Sequence, residues 1–336
     1  MKPICPLSAL LLLLFALPCP AADNSNITEA MHISDPARSW TAYGFLNDAA
    51  HYYSMDVEEG ERIRLSLFKS ADPEEGDFHP ALVLLGPGLP ESSGPLPRLS
   101  LPPGASELRV MAAEAGGAED AVYEPFGPSS LVEISGINIT APVSARYYAA
   151  VYNNDNNTTA SVSGASGHYG LAVGYKEEVS FTDRIMTPLR LISVYLWEGQ
   201  SLAMILVPYF AAGIVGLFVF WRGSRRTSFR LAGTLAGFFF LATAATVLNQ
   251  MAFSLIRAPF GPEAYITLAI ALLNVLLGVA AIRLAAGEAG ILQRALMAVL
   301  GTVALLAGSG LVLGPLMAMA SSFLPSQRGS ILNMRG

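Results

Sequence analysis

From Gln200 to Phe220 the chain carries no charged residue, and about 20 apolar residues are what a bilayer core of about 30 Å demands of a helix. Three more runs of this kind follow, so the stretch reads as a membrane span and not as the buried helix of a soluble protein. Spans are expected at 200–221, 231–256, 264–284 and 294–320. Ahead of the first, Thr187-Pro188 pairs an N-cap residue with proline at the first helical position, where a missing N–H costs nothing. Leu189, Ile192, Tyr195 and Leu196 then recur three to four apart, which predicts a juxtamembrane amphipathic helix within 181–199. Gly199 can bend the chain into the bilayer, and Trp197 and Trp221 bracket the span as interfacial anchors.

Sidedness follows from charge. Arg222 to Arg230 holds four arginines in nine residues, and short basic loops stay on the cytoplasmic side. A second inner loop is flanked by Arg283 and Arg294. With four spans the C-terminal tail, 321–336, falls outside, where Arg328 and Arg335 run against the rule and are outweighed by the six inner arginines. The expected location is the cell membrane, multi-pass, with the N-terminal region and the tail on the extracytoplasmic side.

The N-terminus supports export. Lys2, the apolar run Leu7 to Leu17 and the small-residue pattern Cys19-Pro20-Ala21 match a secretory signal peptide over 1–22, with cleavage after Ala21 or Ala22. Pro18 is a poor fit to lipoprotein processing at Cys19. Cys5 and Cys19 are the only cysteines, so a cleaved chain has none, which excludes disulfides, thiolate metal sites and cysteine nucleophiles. Residues 23–187 hold 23 Asp+Glu against 9 Lys+Arg, a net of −14, while only Glu198, Glu263 and Glu288 are acidic beyond them. A domain so acidic repels nucleic acid and favours solubility or cationic partners.

Within that acidic part, Glu61 to Phe68 alternates strictly, with Ile63, Leu65 and Leu67 on one face and Arg62, Arg64 and Ser66 on the other. That is the pattern of a half-buried strand. Similar runs at 40–46, 51–57, 81–85, 107–111, 131–135, 146–152 and 168–175 are separated by Gly, Pro, Asn and Asp clusters. Repeated short strands with turn signals predict an antiparallel β-sandwich over 23–180. The fold class expected is therefore a multi-domain membrane protein, an all-β sandwich followed by an α-helical four-span bundle. Pro- and Gly-rich 86–104 reads as a surface loop.

The stretch Tyr43-Gly-Phe-Leu-Asn-Asp-Ala-Ala-His-Tyr-Tyr-Ser-Met-Asp-Val-Glu-Glu-Gly-Glu-Arg-Ile-Arg-Leu-Ser-Leu67, with Arg146 to Tyr152 and Gly167 to Val173, resembles the bacterial and archaeal pre-peptidase C-terminal (PPC-like) domain. The resemblance covers roughly 38–176. It implies a small jelly-roll-like sandwich serving as an accessory or binding module on a secreted protein. His51 stands where that family often has an acid before the tyrosine pair.

Catalysis needs a nucleophile with a base and an orienting group, or a metal with suitable ligands. His32, His51, His79 and His168 lie on separate segments and none is in a span. That argues against a di-haem carrier, and so against haem, and against an intramembrane serine protease. Gly164-Ala-Ser-Gly167 reads as a turn. No enzyme is expected; a hydrolase reading would rest on His51 or His79. Asp72, Glu74, Glu75 and Asp77 form the densest acidic cluster, and oxygen ligands at such spacing could hold Ca²⁺, although the order lacks the alternation of a calcium loop and a solvated loop is the default. Tyr123, Glu124 and Phe126 share a Pro-constrained turn that either lines a binding surface, with His51 a further candidate, or plugs one end of the sandwich; the plug is favoured. Sequons occur at Asn26, Asn138, Asn156 and Asn157.

In the spans the polar residues are Asn249, Gln250 and Asn274, with threonines at 243 and 246. The absence of an ionisable group deep in a span argues against a proton-coupled transporter. Asn249 and Asn274 are expected to hydrogen-bond between helices, and Gly233-x-x-x-Gly237 and Gly310-x-x-x-Gly314 to let helices approach, within the bundle or against a partner. The leading expectation is a non-enzymatic surface protein that binds an extracytoplasmic ligand or partner, its bundle held in the lipid bilayer or docked to a membrane protein or second copy. The rival is an accessory or pore-forming subunit of a transport complex.

Overall fold

A computed structural model describes residues 24–47, 50–90, 108–116, 120–153, 165–178, 180–223 and 226–325. The leader, most of the Pro/Gly-rich loop, Asn156, Asn157 and the tail beyond 325 lie outside the described residues.

The chain forms two units. One takes in the chain up to Leu67, Asp77–Gly116 and Ile134–Lys176; the other takes in Phe68–Gly76, Gly117–Glu133 and the chain from Glu177 onward. The first unit is built on strands. The strands are β1 (Met31–Ile33), β2 (Trp40–Leu46), β3 (His51–Val57), β4 (Arg62–Ser70), β5 (Pro80–Gly86), β6 (Arg109–Ala112), β7 (Glu114–Ala115), β8 (Val122–Glu124), β9 (Ser129–Thr140), β10 (Ala145–Asn153) and β11 (Gly167–Val173). One sheet has the order β1-β3-β10-β5-β6; the other runs β2-β11-β4-β9-β7, with β8 also paired to β9. β1 and β3 are parallel, with Met31 opposite Tyr53, whereas β10 lies antiparallel between β3 and β5. β4 and β9 each begin in one unit and end in the other.

Alternation explains the core. Ile63, Leu65 and Leu67 of β4 join Tyr53 and Met55 of β3, Leu82 and Leu84 of β5, Tyr147 and Val151 of β10, and Tyr169 and Leu171 of β11 in one buried cluster drawn from both sheets. Period-two burial of this kind makes two sheets pack face to face. The expected strands at 40–46 and 51–57 have those bounds; β1, β7 and β8 are too short to show a period.

Besides β8, the end of β4 and the start of β9, the second unit is helical: α1 (Phe181–Trp197), α2 (Leu202–Arg222), α3 (Ser228–Ser254), α4 (Ala264–Ala286), α5 (Ile291–Leu306) and α6 (Leu313–Ser321). Among the described residues, only α2, α3 and α4 are long and apolar enough to cross a membrane. Two expectations are corrected here. The juxtamembrane helix does not start at Thr187-Pro188. It starts at Phe181, where Ser180 Oγ accepts the Asp183 N–H at 3.1 Å and donates to the Asp183 carboxylate at 2.6 Å. That cap satisfies one helix-end donor two turns earlier, and Pro188 then removes a single N–H from the interior.

The stretch expected as a fourth span, 294–320, is not one helix. Gly308 and Gly310 have φ of +68° and +76°, and Leu311 and Val312 have φ of +50° and +65°. Four left-handed residues within five cannot continue an α-helix. The chain turns back on itself, and α5 and α6 pack together as a helical hairpin: Gly301 lies against the Pro315 carbonyl and Met319, and Arg294 Nη1 donates to the Ser322 carbonyl at 2.7 Å. Gly310-x-x-x-Gly314 is thus no helical ridge, although both glycines do lie against the Phe240 ring.

Candidate functional site

The residue that organises the second unit is Glu198. It caps the C-terminus of α1, its N–H bonded to the Val194 carbonyl, and it is wholly buried. Every acceptor direction of its carboxylate is used. Oε1 accepts from the Ser130 N–H at 2.8 Å and the Ser130 hydroxyl at 2.6 Å. Oε2 accepts from the Gln250 amide and from the Ser254 hydroxyl at 2.9 Å. The Glu198 carbonyl accepts from Arg257 Nη1, while Arg257 Nη2 pairs with Asp72 Oδ2 at 3.1 Å. One carboxylate therefore ties the start of β9 to the end of α1 and the end of α3, and Arg257 extends the tie to the chain after β4.

Local sequence explains each position. Gly199 follows with φ +97°, where a side chain is strained and a Cβ would lie 2.8 Å from Asp72 Oδ2. This glycine lets the turn after α1 run close to the acid. On α3, Thr243, Thr246, Gln250 and Ser254 fall on one helical face. Tyr209 OH meets Thr243 Oγ1 at 3.1 Å and Thr246 Oγ1 reaches the Ile205 carbonyl at 3.4 Å, so the polar stripe runs toward Glu198 facing α2. Burial pushes the Glu198 carboxyl above the usual carboxylate range, and its hydrogen bonds from Ser130, Ser254 and Gln250 only partly offset this. Tyr195, also buried, is raised for the same reason. With donors on both oxygens the carboxylate holds segments together, and its raised pKa lets a proton compete with those donors.

A second attachment lies at the turn singled out from the sequence. The Tyr123 hydroxyl donates to Thr267 Oγ1 at 2.8 Å, and Thr267 donates onward to the Pro125 carbonyl at 2.8 Å. Tyr123 is buried with Met251, Ala258 and Ala264, and burial raises its phenol pKa. Glu124 accepts from the Phe126 N–H within the turn, and Phe126 is exposed. The turn thus packs through Tyr123 on α3 and α4, while Phe126 faces outward.

The other expected site residues are scattered. His51 Nδ1 meets the Tyr169 hydroxyl at 2.7 Å, and Tyr169 meets Tyr53 at 2.7 Å; burial raises both phenols. Asp72, besides binding Arg257, caps a short 3-10 turn by accepting from the Glu74 N–H at 3.0 Å, with Glu75 in the same turn. Among the described residues, Asp77 included, no group of three or more His, Cys, Asp or Glu side chains is placed to hold a metal ion. Asn26 caps a 3-10 turn and Asn138 accepts from Arg62 Nε at 2.7 Å; both are exposed. Trp221 is exposed, but Trp197 is buried edge-on against Phe68, with ring centroids 5.7 Å apart. Gly233 and Gly237 serve contact inside the bundle, against Ala285 and Ile282 of α4. Asn274 bonds its own helix at the Ile270 carbonyl, not a neighbouring helix, and Asn249 is half-buried.

One constellation was invisible in the sequence. β1–β3 pairing puts His32 opposite Ser54, and His32 lies 3.5 Å from Ser54 Oγ and 4.0 Å from Asp56 Oδ2. Both distances exceed hydrogen-bond reach for proton transfer. Asp56 is moreover held by Arg146 through two bonds at 2.7 and 2.9 Å.

No family model matches the chain and no curated protein matches it. Among solved structures, similarity is found to PliG of Aeromonas hydrophila, a periplasmic inhibitor of g-type lysozyme (13% identity, 44% of this chain and 96% of that one, TM-score 0.27). It is also found to the pre-peptidase C-terminal domain of a Bacillus anthracis collagenase (19%, 42% and 91%, 0.22) and to CorA, a surface-associated copper-binding protein of Methylomicrobium album BG8 (10%, 44% and 98%, 0.24). At these scores the likeness carries no argument about activity.

Proposed function

We propose that this is a non-enzymatic, membrane-anchored surface protein whose strand-built unit, outside the cell membrane, binds an extracytoplasmic ligand or partner, and whose helices relay that engagement sideways to a membrane protein. The observation that carries this reading is the pair of excursions, Phe68–Gly76 and Gly117–Glu133, that leave β4 and enter β9 and fold with the helices. They are secured by Glu198–Ser130, Arg257–Asp72 and Tyr123–Thr267. Two strands, β4 and β9, thus begin in one unit and end in the other. The connections after α2 and α4, 223–227 and 287–290, are too short for a signalling domain, so any output passes laterally.

Crosslinking of the full-length protein in native membranes, followed by mass spectrometry, tests the reading. Partner peptides joined to residues 24–176 are expected. Crosslinks confined to the helices would overturn it and favour the alternative, an accessory or pore-forming transport subunit. The α3 stripe of Thr243, Thr246, Gln250 and Ser254 favours that alternative, and ion flux through the purified protein in liposomes would establish it.

A further inference from the structure

We propose that Ile291–Pro325 is a re-entrant hairpin and not a fourth crossing, so that both its ends lie on the arginine-bearing side, where Arg222, Arg226 and Arg283 form a basic face that docks on anionic lipid headgroups. The two ends of the hairpin lie together. Arg294, near the start of α5, donates to the Ser322 carbonyl just beyond α6 and sits over the Phe229 ring in the first turn of α3, 5.7 Å from its centroid. Phe229, Ala285 at the end of α4, Met297 of α5 and Ala318 of α6 share one buried cluster. The start of α3, the end of α4 and both ends of the hairpin therefore sit at one level.

The tip lies elsewhere. The Gly310 N–H donates to Thr243 Oγ1 at 2.8 Å, and Gly310 and Gly314 abut Phe240. Thr243 is 15 residues into α3 and 11 short of its far end, so the tip stops about 16 Å below that end at a rise of about 1.5 Å per residue. Irregular backbone at membrane depth is tolerated only where protein or water covers it. Here protein does: Pro188 of α1 lies 3.3 Å from a Cβ position at Gly308, and Leu311 packs with Ile192, Tyr195 and Ile205. The helix expected to lie at the interface thus caps a hairpin that does not cross.

Two charge facts favour this path. It removes Arg328 and Arg335 from the outer side, where four spans would strand them. It also gathers Arg222, Arg226, Arg230, Arg283 and Arg294 against Glu288 on one side of the apolar helices. Arg222, Arg226 and Arg283 are exposed, and no ion pair of theirs is found among the described residues. Arginines clustered where apolar helices leave the bilayer complement an anionic leaflet.

The proposal rests on the orientation given above, and the test separates the two. Phe323→Cys and Glu29→Cys, both at exposed positions, are treated in intact cells with a membrane-impermeant maleimide, against the parent chain as background. Glu29→Cys is expected to label in intact cells and Phe323→Cys only after permeabilisation. Labelling of both in intact cells overturns the hairpin and leaves the orientation standing; failure of Glu29→Cys alone to label overturns the orientation. A fluorescent protein fused after Gly336, bright only if cytoplasmic, gives a second readout independent of the cysteine. For the docking surface, the full-length protein is transferred to phosphatidylcholine bilayers with and without phosphatidylglycerol. Native mass spectrometry is expected to retain phosphatidylglycerol several-fold over phosphatidylcholine, and the triple change Arg222→Gln, Arg226→Gln, Arg283→Gln to abolish the preference. Equal retention of both lipids, or an unchanged preference in the triple variant, overturns the docking surface.

Discussion

Glu198 shows what a single buried acid does when every lone pair is used. Removing it leaves the Ser130 and Gln250 donors buried without this acceptor, while Ser254 can fall back on the Gln250 carbonyl at 3.0 Å; unpaired buried donors cost more than the bonds they lose. Glu198→Ala should lower stability by about 3 kcal/mol, and Ser130→Ala by about 1 kcal/mol, read as thermal midpoints of the purified full-length protein. The pH dependence has a definite sign. The folded carboxyl pKa lies above its unfolded value, so the fold binds a proton more readily than the unfolded chain does, and stability at this group rises as pH falls through the folded value. Asp72, Arg257, Tyr123 and Tyr195 are the other charged or titratable groups around it, and Glu198→Gln should flatten the rise. A melt in which Glu198→Gln keeps the wild-type slope would assign the dependence to another group. Little of this was legible beforehand. Glu198 is one of three acids beyond residue 187, yet nothing in its neighbours announces that Ser130, 68 positions away, will reach it.

At the scale of elements, periodicity carried far. The alternation in β4 and the long apolar runs of α2, α3 and α4 are strong local patterns, and the structure has strands and helices there. Hairpins and caps are weaker signals. The apolar content of 294–320 suits a single span, and only the spacing of Gly308, Gly310, Gly314 and Pro315 hints that the chain reverses. Ser180-x-x-Asp183 was likewise outshone by Thr187-Pro188, although both are legitimate starts. The close contact of α3 with α4 gives a prediction. A Cβ at Gly237 would lie 2.6 Å from Ile282 and 2.7 Å from the Gly278 carbonyl, whereas one at Gly213 of α2 would meet nothing within 4 Å. Gly237→Ala should therefore destabilise the bundle by about 1–3 kcal/mol, and Gly213→Ala should be neutral or slightly stabilising. Detergent-induced unfolding of the two variants side by side would show the contrast; equal midpoints would mean that the helices can separate without cost.

For the molecule as a whole, the division between an acidic strand-built part and an apolar helical part is plain from charge and hydropathy alone. What no local pattern reveals is that the chain does not divide cleanly, because Phe68–Gly76 and Gly117–Glu133 belong with the helices. Those contacts join residues far apart in sequence, such as Tyr123 to Thr267 and Asp72 to Arg257. The Asp72–Arg257 pair is largely shielded from solvent, at 18% and 14% side-chain exposure, and a double-mutant cycle of Asp72→Asn and Arg257→Gln should give a coupling of about 1 kcal/mol; additive effects would show the pair to be incidental. The most direct measurement is hydrogen exchange by mass spectrometry on the full-length protein in lipid nanodiscs, comparing wild type with Glu198→Ala. If Glu198 locks strand excursions to helices, exchange should rise together in 68–76, 120–133 and 250–258. An increase confined to the residues beside position 198 would contradict that coupling, and with it the relay between the binding unit and the membrane.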